Sequence, residues 1–434
     1  MESFCDRTMN LRLLIIGVMM AVSGCVSELE QVLIPEVDRS MIVGTERIVD
    51  TTKRDILDGV YTTDESQTTV KRFGTVLSVR LNANGTLSIY AAQGIHTMLL
   101  EGGLRNDSAI YVGSWRSINS PATGSITVVI RPDEGGADVS RGKATSNLVL
   151  RCRVRTGNGS DQALVLRWQA KLTDDLRNFH IIAHRGGGRN SERLGVSENS
   201  LPMLRLAPYL GATGVEIDVE VTKDGIPIVF HDPSFTPRTV QGSYIMGSVA
   251  SYTYQQIRQH VRLVNGEPIP TLQEALQTII EETPLELVWL DVKQPSVTAA
   301  VLEACLAAQT TAQLRNRTVE ILLGIPTAAI LQAYRNANVD GKDRVGVLCE
   351  LDPQTARSIN ARVWAPRFTD GIQRSEAEQM RQEGRRVFVW TLDDRAFMSN
   401  YLQERYRNGL LYTGVLTNYP TLLAAILYAS KVTP

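Results

Sequence analysis

The sequence is poor in the residues that mark several common kinds of protein. Five cysteines, Cys5, Cys25, Cys152, Cys305 and Cys349, are spread over 434 residues. Their spacing fits neither a zinc motif nor a dense disulfide framework. Cys305 falls in a helix-like stretch and Cys349 in a strand-like one, where a small buried hydrophobe is the expected role. Charge of neither sign is in excess: 45 Lys and Arg face 46 Asp and Glu, a formal net charge of -1. The basic stripe that a nucleic-acid partner requires is therefore missing. Beyond the N-terminus no apolar run approaches the roughly 20 residues needed to cross a bilayer. No G-x-G-x-x-G opens a helix after a strand, which counts against dinucleotide binding. Histidine is scarce too, with five in the chain, so the place of each one is informative.

What is present is ordinary globular material, 43% hydrophobic and 21% charged. The length suggests two or three domains. At the N-terminus, Leu13 to Val22 forms an apolar run after Arg12 and is followed by Ser23, Gly24 and Cys25. The run is too short for a membrane-spanning helix and suits the core of a signal peptide. The string VSGC resembles the lipobox of bacterial lipoproteins. Residues 1–25 are thus expected to be a lipoprotein signal peptide ending at a lipidated Cys25, with residues 26–45 as a tether. The implied location is the bacterial cell envelope, lipid-anchored on a periplasmic or outer-surface face. The alternative is a plain secretory signal with a chance cysteine.

Residues 46–175 carry short alternating runs separated by Gly, Pro, Asn and Asp clusters. TVLSVRLNANGTLSIY (75–90) reads as a hairpin about Asn84-Gly85, since such a turn needs residues at ease with positive φ. SAIYVGSW, SITVVI, NLVLRCRV and ALVLRWQAKL continue the pattern. A β-rich accessory domain, a sandwich or a small barrel, is expected. No catalytic constellation stands out in it. His96, Trp115 and Trp168 read as packing residues, with glycan or lipid binding by the tryptophans the less favoured alternative.

From residue 179 to 434 strand-like runs alternate with helical ones. This pattern indicates an α/β fold with a parallel sheet, either a (β/α)8 TIM barrel or a doubly wound sheet. Nine strand candidates appear, HIIAH, VEIDVEV, PIVFH, LELVWLDV, VEILLGI, RVGVLCE, VWAPRF, RVFVWTL and GVLTN. A barrel needs eight, so one of the nine is peripheral or the count is wrong.

Polar residues gather where these strands end, which is where parallel α/β folds place their sites. The first strand ends in His184-Arg185-Gly186; arginine suits a two-pronged grip on phosphate, and glycine allows close approach. In Val215-Glu216-Ile217-Asp218-Val219 the two acids share one face, about 7 Å apart along the strand. Two carboxylates pointing into a barrel repel each other and are costly to desolvate, and a cation resolves the conflict. Asp291 and Lys293 share a face in the same way. Asp291 is a candidate third oxygen ligand, and Lys293 a charge balance or a contact to a phosphoryl oxygen. The bland alternatives are solvated acids on an edge strand and a structural ion pair. His231, after PIVF, supplies with His184 a pair able to act as general base and general acid. Glu198 is placed near the site. Asn199 beside it is either a helix cap or a pocket residue, and Trp390 is a wall of the pocket.

Taken in order, HRG (184–186), EN (198–199), VEIDV (215–219), TKDGIPIVFHD (222–232), IPTLQEAL (269–276), LDVK (290–293), VWT (389–391) and TNYP (417–420) resemble the glycerophosphodiester phosphodiesterase family over roughly residues 180–430. The resemblance implies a C-terminal TIM barrel with one divalent cation at its mouth, Mg²⁺ or Ca²⁺. It implies Glu216 and Asp218 as metal ligands, with Asp291 standing where the family usually has glutamate. It further implies His184 and His231 as the acid/base pair and Arg185 and Lys293 near the phosphate. Three departures accompany it: the longer 187–197 segment, Asp291 itself, and TNYP in place of the commoner TDYP. The expected function is metal-dependent hydrolysis of glycerophosphodiesters to an alcohol and glycerol phosphate. Two alternatives stand beside it, a phospholipase or sphingomyelinase D-like lipid phosphodiesterase and a non-catalytic ligand-binding lipoprotein. The expected partners are a small phosphodiester or lipid substrate and the membrane reached through the anchor.

Overall fold

The computed structural model describes residues 35–429 apart from 66–67, 83, 92, 94–95, 118–119, 173 and 243–244. The expected signal peptide, Cys25 and residues 26–34 of the tether lie outside the described residues. No helix among the described residues is long and apolar enough to cross a membrane.

The β-rich region closes into an eight-stranded antiparallel barrel. Its strands are β1 (Gly59–Thr62), β2 (Val76–Leu81), β3 (Leu87–Ala91), β4 (His96–Arg105), β5 (Ser108–Ser117), β6 (Thr123–Ile130), β7 (Val149–Thr156) and β8 (Gln162–Lys171). The hairpin anticipated at 75–90 is the β2–β3 pair, with Leu81 opposite Leu87 and Gly85 at φ 82° in the turn. Period-2 alternation sends Leu77, Val79, Leu81, Leu87 and Ile89 into the barrel. Closure comes from β1 pairing with β8, Gly59 opposite Lys171, which removes the open edges a sandwich would leave. Trp115 is buried, and His96 packs edge-on against Phe73. Trp168 packs against the same core.

The second half is a closed parallel barrel. Its wall is formed by β9 (His180–Ala183), β10 (Gly214–Val221), β14 (Leu287–Val292), β15 (Glu320–Ile325), β16 (Gly346–Cys349), β17 (Val363–Trp364), β18 (Arg386–Val389) and β21 (Gly414–Thr417). The ring shuts where β9 pairs with both β10 and β21. The ninth candidate, β11 (Pro227–Val229), is the peripheral one and runs antiparallel to the upper part of β10. Two short ribbons complete the strands: β12 (Ser234–Phe235) with β13 (Gly247–Ser248), and β19 (Arg405–Tyr406) with β20 (Gly409–Leu410). The wall strands are buried on both faces, as all-parallel sheets require. Outward Val215, Ile217, Leu290 and Val292 join the large core beneath the helices. Inward Ile182, Leu287, Trp289, Leu322, Leu348, Phe388 and Leu416 plug the barrel interior. Any site must then lie above this plug, at the carboxyl ends of the strands. Cys152, Cys305 and Cys349 are free and buried.

Residues 230–269, between β11 and helix Leu272–Glu282, form an inserted lobe. Phe230, Phe235, Val240, Val249, Ile257, Val261, Leu263 and Ile269 give it a small core of its own. A capping box at Thr253 and Gln256 starts its helix Tyr254–His260. The 187–197 segment is bound to this lobe: Ser197 Oγ donates to Glu267 Oε2 at 2.6 Å, and Asn190 Nδ2 donates to the Arg238 carbonyl at 3.1 Å.

Candidate active site

Strand register brings the three acids together. Asp218 of β10 lies directly opposite Asp291 of β14, and Glu216 lies opposite Trp289 one inward position lower. An oxygen from each of Glu216, Asp218 and Asp291 lies within 4.8 Å of the others. Lys293, one inward position above Asp291, reaches down between them. Its Nζ is 2.7 Å from Asp218 Oδ1 and is hydrogen-bonded to Asp291. The structure thus places Lys293 among the carboxylates as a charge balance, one of the two roles expected for it.

These charges are unequal. Burial, with Asp218 and Asp291 nearby, pushes the Glu216 carboxyl well up. Burial pushes Asp291 up as well, although Lys293 opposes it. At Asp218 burial is outweighed by Lys293, His231 and Arg185, which hold the carboxyl down at about 2. Glu216 Oε1 and Asp291 Oδ1 are buried without a hydrogen bond. Such oxygens are expensive to leave unpaired, and they suit a hard cation.

The HRG turn caps β9. Arg185 sits at φ 52° and Gly186 at φ 81°. A side chain on Gly187 would meet Met203 Sδ at 2.3 Å, so the turn lies against helix Leu201–Leu206 in a place where any larger residue would displace the Met203 side chain. The Arg185 backbone N–H donates to Glu216 Oε2 at 2.8 Å, and its Nη1 donates to Glu198 Oε1 at 2.8 Å. Arg185 is therefore buried, with its Nη1 held by Glu198 and its Nε without a hydrogen bond. Glu198 stays out of the acid cluster and binds Arg185 and Arg238 instead. Asn199 is not the helix cap; Ser200 takes that role, accepting from Met203 N. Asn199, at φ 60°, donates its amide to Asp218 Oδ2 at 2.7 Å.

The two histidines share one mouth but rest on different partners. His184 Nε2 is 3.8 Å from Glu216 Oε2, and His184 Nδ1 is 2.8 Å from Asn418 Oδ1. Asn418 Nδ2 in turn donates to Asp393 Oδ2 at 2.7 Å. Burial pushes the His184 ring down to about 4, although Asp218 pulls the other way. His231 Nδ1 is 2.6 Å from Asp232 Oδ1, and Arg238 grips both oxygens of Asp232. His231 is close enough to Asp218 and Asp291 to favour their charged forms. Trp390 follows β18, donates to the Ala365 carbonyl at 2.8 Å and lies under the Arg367 guanidinium.

Several residues of this site were not picked out from the sequence. Glu350, at the end of β16, has its carboxyl pushed well up by burial and by Asp291. Its signal was a carboxylate closing the apolar run RVGVLC. Asp393 and Arg238 lie in loops and gave no periodic signal.

A closed parallel barrel with paired carboxylates, a lysine and two histidines at its carboxyl mouth defines a class of barrel proteins equipped for polar chemistry at one end. Residues 184–422 match the model of the glycerophosphoryl diester phosphodiesterase family, and the chain belongs to that family. Human glycerophosphodiester phosphodiesterase 1 is 43% identical over 103 residues, 22% of this chain and 28% of that protein. The Mycobacterium tuberculosis protein named "Probable glycerophosphodiester phosphodiesterase 2" is 26% identical over 279 residues, 60% of this chain and 96% of that protein. The crystal structure of a glycerophosphodiester phosphodiesterase from Parabacteroides distasonis aligns with a TM-score of 0.44 at 19% identity, covering 57% of this chain and 97% of that one. The chain thus spans under a third of the length of the mammalian relatives it matches.

Proposed function

We propose that this protein is a phosphoric diester hydrolase that cuts glycerophosphodiesters to an alcohol and glycerol phosphate. The observation that carries this reading is the meeting of Glu216, Asp218 and Asp291 within 4.8 Å, in a chain of this family, on the mouth that also holds both histidines. The orphaned buried oxygens of Glu216 and Asp291 fit a hard divalent cation, magnesium or calcium. The three acids would hold it, and when bound it would supply Lewis-acid stabilisation of charge on the phosphoryl group.

The remaining work falls to the chain itself. The Asn418 amide nitrogen donates to Asp393, a carboxylate that can only accept, so the Asn418 oxygen faces His184 and takes its Nδ1 proton. This leaves the His184 Nε2 lone pair free, on a ring that burial keeps neutral. His184 is then the base for the attacking water or substrate hydroxyl. His231 is backed by a carboxylate, which balances the positive charge that a proton donor carries, and it serves the leaving alkoxide. As one O–P bond forms and the other breaks, His184 gains a proton and His231 loses one. With water as the nucleophile the net change is the addition of one water; with a substrate hydroxyl a cyclic phosphate forms first, and the water is added when a second step opens it, the two histidines exchanging roles. Arg185 and Lys293 keep the acid-rich mouth tolerable to an anionic substrate.

Release of glycerol phosphate from glycerophosphocholine, followed with and without chelator and then with Mg²⁺ or Ca²⁺ restored, tests the proposal. Turnover indifferent to chelation sinks the metal assignment. Release of head groups only from intact phospholipids favours the lipid phosphodiesterase reading, and no turnover on either substrate favours a binding protein. We also propose, on residues 13–25 alone, a lipid on Cys25 that holds the chain to the cell envelope. Incorporation of a fatty-acid label, abolished in Cys25→Ser, is the expected result.

A further inference from the structure

Arg238 lies in the inserted lobe, away from every motif that marks the site, yet it touches both halves of the catalytic apparatus. Its Nε and Nη2 bind the two oxygens of Asp232 at 3.1 and 2.6 Å, while its Nη1 binds Glu198 Oε1 at 3.1 Å. Asp232 Oδ1 is also the partner of His231 Nδ1, at 2.6 Å. Glu198 Oε1 also accepts from Arg185, whose backbone N–H holds Glu216. One planar guanidinium therefore joins the support of His231 to the support of the HRG turn.

We propose that Arg238 is a positioning residue for the reaction, fixing the His231 ring through Asp232 and the Arg185 side chain through Glu198. The inference rests on the hydrolase reading above and adds to it the residue that orients the proton donor. An aspartate beside a histidine can swing about its own side-chain bonds. A fork bound to both of its oxygens removes that freedom, and a lysine ammonium, being a point charge, does not. The lobe also delivers Arg238 as a docked unit: Asn190 holds its carbonyl, and the 236–240 turn is closed by Thr239 N and Val240 N donating to Thr236 O. The Arg238 side chain is 44% exposed, so its replacement leaves no buried cavity and the fold should survive.

The test uses the full chain and two substrates, glycerophosphocholine and a p-nitrophenyl phosphodiester. The nitrophenolate leaves without needing a proton. Arg238→Ala is expected to lower kcat on glycerophosphocholine by about 30- to 100-fold, up to the lower end of what a general acid contributes, since His231 is displaced and not removed. KM should change by less than about threefold, since uniform binding is untouched. The loss on the nitrophenyl ester should be about fivefold or less, because general-acid help matters little there. Guanidinium ion added at millimolar levels should restore part of kcat, whereas Arg238→Lys should not. An Asp232→Ala/Arg238→Ala double variant should be slower than Asp232→Ala alone only by the small loss, about fivefold or less, that the Glu198 arm contributes. Equal losses on both substrates, or a change confined to KM, would overturn the inference. A wild-type protein inert towards both esters would instead overturn the hydrolase reading. The positioning claim then stands or falls on the ¹⁵N signals of His231, which must shift from the Nδ1–H form in Arg238→Ala; unchanged signals sink it.

Discussion

The cost of Asp291 to the folded chain is visible in its surroundings. Its carboxyl is raised by burial, and one oxygen lacks a hydrogen bond. Asp291→Asn should therefore leave the metal-free protein as stable as before or slightly more stable, because it removes a buried charge in need of compensation. The same change should abolish any rise in Tm on adding Mg²⁺ or Ca²⁺ and lower turnover of glycerophosphocholine by about 100-fold or more. Melting curves with chelator and with each ion, set beside kcat, check both halves. A variant that still gains stability from the ion would show that the ligand set lies elsewhere. Asn418 makes a second prediction. In Asn418→Asp two carboxylates would face each other where Asn418 Nδ2 now meets Asp393 Oδ2 at 2.7 Å. The expected cost is about 2 kcal/mol of unfolding free energy, recovered in the Asn418→Asp/Asp393→Asn exchange. Urea titration of the three variants measures it, and an undamaged single variant would refute the argument.

At the scale of elements, strand β9 begins with His180, which is partly buried beside Arg386, with Arg80 near enough to act on its charge. Burial, and then those two cations, press its ring down to about 3. Arg386 in turn pairs with Glu320, whose carboxylate offsets part of that positive charge. The unfolded chain binds a proton at this position below about pH 6.5, whereas the folded chain does not until about pH 3. More protons are bound when unfolded, so stability rises with pH across this window and is lost on acidification, by at most about 1.4 kcal/mol per pH unit. His180→Gln keeps an acceptor for Arg386 and carries no titrating proton. It should lose less stability than the wild type between pH 7 and pH 5 in urea melts; parallel losses would contradict the argument.

The same scale shows what the sequence could reveal. Alternation along VEIDV and LDVK put Glu216, Asp218, Asp291 and Lys293 on inward faces, because side-chain direction in a strand is a local property. That Asp218 and Asp291 stand side by side was not local; it follows from a register set between β10 and β14, about 70 residues apart. The β2–β3 hairpin was legible from its turn, but not the β1–β8 pairing that makes a barrel instead of a sandwich. The peripheral strand among nine candidates was foreseen without its identity. PIVF carries the apolar run of a wall strand, yet the tight Thr222–Ile226 connection leaves room only for an antiparallel partner of β10. Arg238 and Asp393 gave no signal because loop residues have no period to read.

At the scale of the whole molecule, β2 and β3 show why the two barrels hold together. Their inward residues fill the first barrel, and their outward ones meet the second. Ser78 Oγ donates to the Tyr428 carbonyl at 3.1 Å, Tyr90 stacks on Tyr428 at 4.5 Å, and Thr97 of β4 donates to the Tyr209 carbonyl at 3.2 Å. Arg80 is the centre of this contact. It is 3% exposed, pairs with Glu286 at 3.2 Å and donates to the Tyr428 hydroxyl at 3.1 Å. A buried guanidinium is tolerable only while both partners stay, and truncating one member of such a pair costs about 3–5 kcal/mol. Glu286 is partly exposed and also lies 3.9 Å from Arg54, so the lower end of that range applies. Because the loss falls on the contact and spares both hydrophobic cores, Arg80→Ala should do more than lower Tm. It should split a single calorimetric transition into two, one for each barrel, with the turnover proposed for the mouth at the far ends of β10 and β14 persisting below the first. Arg80→Met, which refills the volume without the charge, should recover much of the coupling. One undivided transition at a lower temperature in Arg80→Ala would mean that the barrels are joined chiefly by the apolar Tyr90–Tyr428 contact and that Arg80 is incidental to it.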